Sequence, residues 1–333
     1  MDETALIQTV ARLLMAPKGL LAADESIKSC NARFEKLGVP TTEEKRREYR
    51  ELLIDTPGIE EFISGYILVD ETIHEAKADG TKFTDILKGK GIEIGIKVDE
   101  GLIDLIDHPG EKITQGLDGL SDRLKEYKKL GATFAKWRAV YSISENTPSE
   151  LCMKANAEIL TKYALNCQAE GIVPIVEPEV LLDGEHTMEK CYEVTSHNLE
   201  ILFKELADKK VYLPGLILKT SMVLPGKDMK LEVYPSEVAK MTVKCLKEKV
   251  PDVIGGIVLL SGGQPDEDAT VRLNAMHQLG PLPWALTFSY SRAIQNKVLA
   301  SWAKDPADVA LARSLFLAAA KNDSLASVGE YKV

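Results

Sequence analysis

The sequence predicts an α/β fold of the (β/α)8 TIM-barrel type, a single domain with an N-terminal helix before the first strand and additional helices after the last. Three observations carry this expectation. Short apolar runs alternate with helical patterns along the chain, which is the mark of successive βα units. Eight such runs occur, at residues 19–24, 63–69, 93–98, 133–141, 172–178, 215–220, 256–262 and 284–290. The chain has 333 residues and is 45% apolar, enough for one large barrel or two ordinary domains. No Gly/Ser linker, low-complexity tract or clear repeat divides it, so one domain over 1–333 is expected.

The elements follow in order. A helix over residues 3–15 precedes the first run. The runs themselves are nearly continuous in apolar residues, as in Gly256-Ile-Val-Leu-Leu260, which fits parallel strands buried on both faces. Leu120, Leu124, Tyr127 and Leu130 share one side of a helix between the third and fourth strands. Residues 148–169 form the next helix, opened by a capping box of Thr147 as N-cap, Pro148 at the first helical position and Glu150 at the third. Cys191, Thr195, Leu199, Leu202 and Leu206 line a further helix, and helical segments follow Ser291.

Composition excludes several classes of function. The net charge of −10 argues against nucleic acid as a partner, since neutralising phosphates needs a basic face. No run approaches the roughly 18 apolar residues of a membrane span, and the acidic Met1-Asp-Glu-Thr start is unlike a targeting segment. Five scattered cysteines with no C-x-x-C pair fit reduced thiols in a cytoplasm. The five histidines include no pair at helix-face ligand spacing, so no metal is expected.

Chemistry enters where the apolar runs end. Gly91–Lys97, Ala132–Arg138 and Gly215–Lys219 each carry a lysine at or near the end of a strand. Lysine is rarely buried unless paired, and a buried ammonium tends to lose its proton and become a nucleophile. In a (β/α)8 barrel, functional side chains gather at the C-terminal ends of the strands. Asp24, Lys97, Lys136, Arg138, Glu177, Glu179, Lys219, Ser261 and Arg292 all fall there, from seven different strands. The two-residue strand period puts Lys136 with Arg138 on one face and Glu177 with Glu179 on another. Such a set is either a buried ion network or a site where one cation depresses the pKa of another; spacing alone leaves open which lysine is the nucleophile. Ser261-Gly262-Gly263, with Arg292 after the next strand, forms one candidate anion site. Ser26, Ser29 and Arg33, completed by Lys97, form a second. Two anion sites across one mouth point to a bisphosphate.

The words Leu21-Ala-Ala-Asp24-Glu-Ser26, Gly95-Ile-Lys97-Val-Asp99, Gln115-Gly-Leu-Asp-Gly-Leu120, Phe134-Ala-Lys136-Trp-Arg138, Ile172-Val-Pro-Ile-Val-Glu177-Pro-Glu179, Leu259-Leu-Ser261-Gly-Gly-Gln264 and Pro283–Tyr290 together resemble class I fructose-bisphosphate aldolase. The resemblance spans nearly the whole chain. It implies a cytoplasmic lyase of glycolysis and gluconeogenesis that acts on a phosphorylated sugar, uses no cofactor beyond a covalent imine on Lys219, and assembles as a homo-oligomer, specifically a homotetramer. It also implies roles. Glu177 shuttles protons during imine formation, Asp24 takes the C4 hydroxyl proton, and Lys136 favours the neutral amine of Lys219. Ser261, Gly262, Ser291 and Arg292 hold the C1 phosphate, Ser26, Ser29 and Lys97 the C6 phosphate, and Arg138 and Glu179 orient neighbouring groups. Against the animal and plant pattern, Lys219-Thr-Ser221 replaces Lys-Pro-Asn, Lys28 replaces a glycine between the two serines, and Ser291 replaces the glycine before Arg292. The long tail ending in a tyrosine has no counterpart, and Tyr331 is expected to pack on the surface. Two other readings are a different Schiff-base sugar-phosphate aldolase with one phosphate site, and a non-catalytic sugar-phosphate-binding scaffold.

Overall fold

The computed structural model describes residues 2–332; Met1 and Val333, the two ends of the expected 1–333 unit, lie outside the described residues. Ten strands occur in chain order among the described residues: β1 (Gly19–Ala22), β2 (Ile63–Leu68), β3 (Glu93–Lys97), β4 (Leu102–Asp104), β5 (Lys112–Thr114), β6 (Ala132–Tyr141), β7 (Val173–Val180), β8 (Ile217–Thr220), β9 (Gly256–Leu259) and β10 (Leu286–Tyr290). Eight of them close into a barrel in the order β1-β10-β9-β8-β7-β6-β3-β2, and every neighbouring pair is parallel. The helices are α1 (Glu3–Leu13), α2 (Ile27–Lys36), α3 (Glu43–Asp55), α4 (Asp70–Ile73), α5 (Phe83–Gly89), α6 (Leu120–Leu130), α7 (Glu150–Ala169), α8 (Met188–Asp208), α9 (Pro235–Lys249), α10 (Asp266–His277), α11 (Arg292–Lys304) and α12 (Val309–Ala326). No helix is long and apolar enough to cross a membrane among the described residues.

Two apolar layers hold the barrel. The inner one joins Leu20, Ala22, Ile67, Phe134, Val173, Ile175, Ile217 and Val258 to Leu6, Val10, Leu13 and Leu14, so α1 and the residue that follows it close the N-terminal end of the barrel. The outer one packs the other strand faces against the helices. Inside the barrel the volume is shared unevenly. A Cβ on Gly95 would lie 2.2 Å from the Phe134 ring, and one on Gly65 would lie 2.8 Å from Leu13 and 3.2 Å from Phe134. The phenylalanine fills the space that these glycines leave.

Several local features differ from the sequence expectation. The strand expected over 19–24 ends at Ala22, which leaves Asp24 in the turn before α2. The run at 215–220 begins its strand only at Ile217, after a short 3-10 turn at Leu213–Gly215. The helix expected from 148 starts at Glu150, and its N-cap is Ser149, not Thr147. Glu111 is the cause. Its carboxylate accepts from Ser149 N (2.5 Å) and Oγ (2.6 Å), holding Ser149 extended while its Oγ accepts from Cys152 N at 3.2 Å. Glu111 comes from the β4–β5 hairpin, which sequence periodicity does not reveal because three-residue strands are too short to show alternation. The hairpin is pinned to β6 by Thr114 Oγ1, which donates to Arg138 O at 2.7 Å. Tyr331 is half-buried, and its backbone N–H donates to Asn274 Oδ1 at 3.0 Å.

Overpacking at the shared volume gives a test. Gly95→Ala is expected to cost about 1–3 kcal/mol in urea unfolding, and shortening the clashing ring in Gly95→Ala/Phe134→Leu should recover part of that loss.

Candidate active site

The strand C-termini surround a cavity of about 570 Å3, and all fourteen residues singled out from the sequence line it. β1 hands the chain to Asp24 and then to Ser26, which caps α2: its Oγ accepts from Ser29 N at 3.2 Å and donates to Ser29 Oγ at 3.0 Å. β6 and β7, the two longest strands, supply Lys136 with Arg138 and Glu177 with Glu179. β8 brings Lys219 beside them.

At the centre is a cluster of buried charges. Lys136, Glu177 and Lys219 are each 3% exposed. Lys136 Nζ lies 2.6 Å from Asp24 Oδ2 and 3.0 Å from Glu177 Oε2, and Lys219 Nζ lies 3.1 Å from Glu177 Oε1. Burial works to raise the pKa of Asp24, but Lys136 and then Lys219 outweigh it and hold the carboxyl well below its usual range. The same balance holds Glu177 low. Burial likewise works to lower Lys136, but Asp24, Glu177 and Asp99 override it and push the ammonium well above the ordinary lysine value. The expectation that a buried lysine of this set sheds its proton is therefore corrected for Lys136, because two carboxylates stabilise the charge that burial penalises.

Most of the other cations are matched too. Arg138 Nε donates to Glu179 Oε2 at 2.5 Å. Lys97 Nζ lies 2.6 Å from Asp99 Oδ1 and donates to Asp99 O at 2.7 Å. Arg33, expected beside Ser26 and Ser29 as part of an anion site, lines the cavity but gives its charge to Glu25, with both carboxylate oxygens at 2.7 Å, and donates to Asn296 Oδ1 at 3.1 Å. A carboxylate this close in sequence outcompetes solvent for the guanidinium.

Arg292 differs: no ion pair engages it among the described residues, and it borders the loop expected to bind an anion. Gly262 (φ +58°) and Gly263 (φ +82°) are consecutive left-handed residues, which turn successive N–H groups into a concave donor site. A Cβ on Gly263 would lie 3.3 Å from Arg292 Nη2, so a side chain there would press the guanidinium aside by a few tenths of an ångström. Arg272 Nη1 donates to Gln264 Oε1 at 2.7 Å and steadies the loop. Ser291, which stands where a glycine was expected from the resemblance, has φ −112° and ψ −85°, outside the main helical and extended regions.

Sequence reasoning missed Glu25, Lys36, Asp99 and Ser289, which also line the cavity. Each had a signal. Asp99 follows Lys97 at the strand period, Ser289 precedes Ser291 at the same period, and Ser29, Arg33 and Lys36 form an i, i+4, i+7 stripe on α2. Glu25 needed only the question of what balances Arg33. The histidines stay dispersed: among the described residues no group of three or more His, Cys, Asp or Glu side chains is placed to hold a metal ion.

A closed parallel barrel whose mouth holds two lysines around one carboxylate agrees with the comparisons to known proteins. The family model for class I fructose-bisphosphate aldolase matches residues 5–333. The chain belongs to the class I fructose-bisphosphate aldolase family. A probable class 1 fructose-bisphosphate aldolase of Xanthomonas campestris is 49% identical over 328 residues, covering 98% of each chain. The fructose-bisphosphate aldolase of Dictyostelium discoideum is 48% identical, over 98% of this chain and 92% of its own. A cytosolic fructose-bisphosphate aldolase of Arabidopsis thaliana is 48% identical, over 98% of this chain and 84% of its own. Among solved structures, the fructose-bisphosphate aldolase of Plasmodium falciparum, in a ternary complex with TRAP and a small-molecule inhibitor, superposes with a TM-score of 0.97 at 44% identity, over 99% of this chain and 96% of that one.

The charge cluster makes a prediction with a definite sign in pH. Asp24 and Glu177 titrate below their unfolded values, so the stability they contribute is complete above about pH 4 and is lost as pH falls through their folded values. Lys136→Met strands the carboxylates. It should cost about 3–5 kcal/mol near neutrality in urea unfolding, and the deficit should narrow below about pH 4, where protonated carboxyls need no cation.

Proposed function

We propose that this chain cleaves fructose 1,6-bisphosphate reversibly to dihydroxyacetone phosphate and glyceraldehyde 3-phosphate, through an imine on Lys219 and without a metal, in one barrel unit over residues 1–333. The observation that carries the assignment is the unequal sharing of carboxylates among the strand-end lysines. Lys136 is held by two and Lys97 by Asp99, whereas Lys219 touches one oxygen of a carboxylate that Lys136 also claims. Lys219 is the lysine with the least carboxylate contact, and Glu177 Oε1 at 3.1 Å is within hydrogen-bond reach for the proton transfers of imine formation.

The steps then follow from these positions. The Lys219 amine adds to the C2 carbonyl, and Glu177 returns a proton to the carbinolamine hydroxyl, which leaves as water and yields a protonated imine. Asp24, ionised at neutral pH because Lys136 holds it so, takes the C4 hydroxyl proton. The C3–C4 bond breaks, its electron pair flows into the iminium to give an enamine, and the aldehyde departs. Protonation at C3 and hydrolysis release the ketose phosphate and restore the amine. Lys136 stays a cation throughout, steadying both carboxylates. Ser261, Gly262, the backbone N–H groups around Ser291, and Arg292 receive the C1 phosphate. Ser26, Ser29 and Lys97 receive the C6 phosphate, with Arg33 held back by Glu25. Arg138 and Glu179 form one wall between them.

The cytoplasm is the proposed location, supported by five buried, free cysteines and the cytosolic Arabidopsis relative. Homo-oligomeric assembly, as the tetramer that the family resemblance implies, is supported by Leu102, Ile103 and Ile106, which the β4–β5 hairpin presents at 42%, 41% and 82% exposure. Light scattering should report a multiple of the chain mass, and Ile106→Glu should lower it; a monomeric native protein would rule the assembly out.

Borohydride reduction in the presence of dihydroxyacetone phosphate, followed by peptide mapping, should place the adduct on Lys219, with full activity kept in EDTA. Glu177→Gln should slow trapping. Asp24→Asn should still trap but cleave about 10²–10⁴-fold more slowly. An adduct on Lys97 or Lys136, or loss of activity in EDTA, would refute the assignment.

A further inference from the structure

Helix α3 carries four cations, and three of them are held by acids at hydrogen-bond distance. Lys45 Nζ lies 2.7 Å from Glu48, Arg46 Nη2 lies 2.6 Å from Glu71, and Arg47 Nη1 lies 2.6 Å from Glu51. Arg50 differs. Its side chain is 3% exposed, yet Nη1 is buried with no hydrogen-bond partner. The one acid that pairs with it among the described residues is Glu25, whose Oε2 is 3.9 Å from Nη2, too far for a hydrogen bond. The Tyr49 ring, centred 5.9 Å from Arg50 Cζ, compensates weakly. A buried guanidinium is ordinarily met by several acceptors, because its charge is costly out of water.

Arg33 is what keeps Glu25 from closing on Arg50. Both Glu25 oxygens accept from Arg33 Nη1 at 2.7 Å, so this carboxylate stands between two guanidiniums and satisfies one. Glu75 is the other carboxyl whose charge reaches Arg50. Its two oxygens are buried without a hydrogen bond, burial pushes it up to about 7, and no ion pair joins it to Arg50 among the described residues. Glu25, Ser26, Ser29, Arg33 and Lys97 all line the catalytic cavity. Glu25 adjoins Ser26 in the chain, and Arg33 follows Ser29 by one turn of α2. A phosphate held by the two serines and Lys97 therefore brings its negative charge beside Glu25, repels it, and competes with it for Arg33.

We propose that Glu25 is a gate on the C6-phosphate pocket: it covers Arg33 in the free protein and passes to the buried guanidinium of Arg50 when phosphate enters, which releases Arg33 to the phosphate. The gate rests on the reading that this pocket takes the C6 phosphate. A movement of about 1 Å brings Glu25 Oε2 within hydrogen-bond distance of Arg50 Nη2. One ion pair is lost and one gained, so the contact between Arg33 and phosphate is the surplus that drives the exchange. A ketose with a phosphate only at C1 leaves the gate where it is. Arg50 is thus a positioning residue that touches no substrate, and the exchange favours a bisphosphate over a monophosphate.

Calorimetric titration of the full chain with a hexitol 1,6-bisphosphate, which has both phosphates and no carbonyl to form an imine, tests this in a two-residue cycle. Glu25→Gln should bind it about tenfold more tightly and Arg50→Met about tenfold more weakly. In the Glu25→Gln background, Arg50→Met should cost nothing further. Borohydride trapping of dihydroxyacetone phosphate, which occupies only the C1 side, should proceed in Arg50→Met as in the native chain. Should Arg50→Met fail to fold, the neutral Arg50→Gln takes its place in the cycle. An equal loss in both backgrounds, which a merely structural arginine would give, would overturn the gate, as would weaker binding in Glu25→Gln or unchanged binding in Arg50→Met. If the native chain does not bind the hexitol bisphosphate at all, the two-phosphate reading falls and the gate with it; if it binds and the cycle is additive, the gate falls alone.

Discussion

The ammonium of Lys136, held between Asp24 and Glu177, is the contact on which the rest of the mouth depends. Four ionisable groups are drawn out of water there, and each ion so buried costs several kcal/mol that only close, well-aligned partners offset. The contacts at 2.6, 3.0 and 3.1 Å join the turn after β1 to β6, β7 and β8. Closure of the barrel brings those elements together, because β1 meets β10 at the seam while β6, β7 and β8 pair side by side. A shift of one residue in β6 or β7 would turn Lys136 or Glu177 to the opposite face and leave its partner buried alone.

How the carboxylates are distributed among the cations then decides what each cation can do. Lys136, Arg138, Lys97 and Arg33 are each matched by an acid at close range, and these pairs give the cavity rigid walls. Lys219 shares one carboxylate with a stronger claimant, and Arg292 lies over Gly263 with no acid of its own. In the proposed reaction, one underpaired lysine at the centre and one guanidinium on the rim, without an ion pair among the described residues, would divide reactivity from anion recognition. The net charge of −10 is compatible with an anionic substrate for this reason: local arrangement within a low-dielectric cleft, not the total, sets the field a ligand meets.

The opposite end of the barrel is built for stability. There α1 inserts Leu6, Val10 and Leu13, and Phe134 occupies volume left free by Gly95 and Gly65. The same strand that carries Lys136 at the mouth thus carries Phe134 two residues earlier, deeper in the barrel. Packing at one end fixes the position of charge at the other, which is how a (β/α)8 barrel separates the layer that holds it together from the layer that acts.

What the sequence by itself determined was the set of strands and the residues at their ends. Parallel strands buried on both faces must be apolar nearly throughout, so runs such as Gly256–Leu260 stand out, and a lysine or glutamate closing such a run violates burial strongly enough to be noticed. That is why Lys97, Lys136, Glu177 and Lys219, which line the cavity, were legible without a structure. The tertiary structure alone decided which charge faces which. Asp24 with Lys136, and Arg33 with Asn296 across 263 positions, are neighbours only after the barrel closes, and no local spacing encodes that proximity. What keeps Lys136 charged was out of reach for the same reason: burial is a property of one run, but the carboxylates that offset it come from the turn after β1 and from β7. The β4–β5 hairpin and the Ser149 cap were equally out of reach, since three-residue strands carry no period and the cap is chosen by Glu111, a residue 38 positions away.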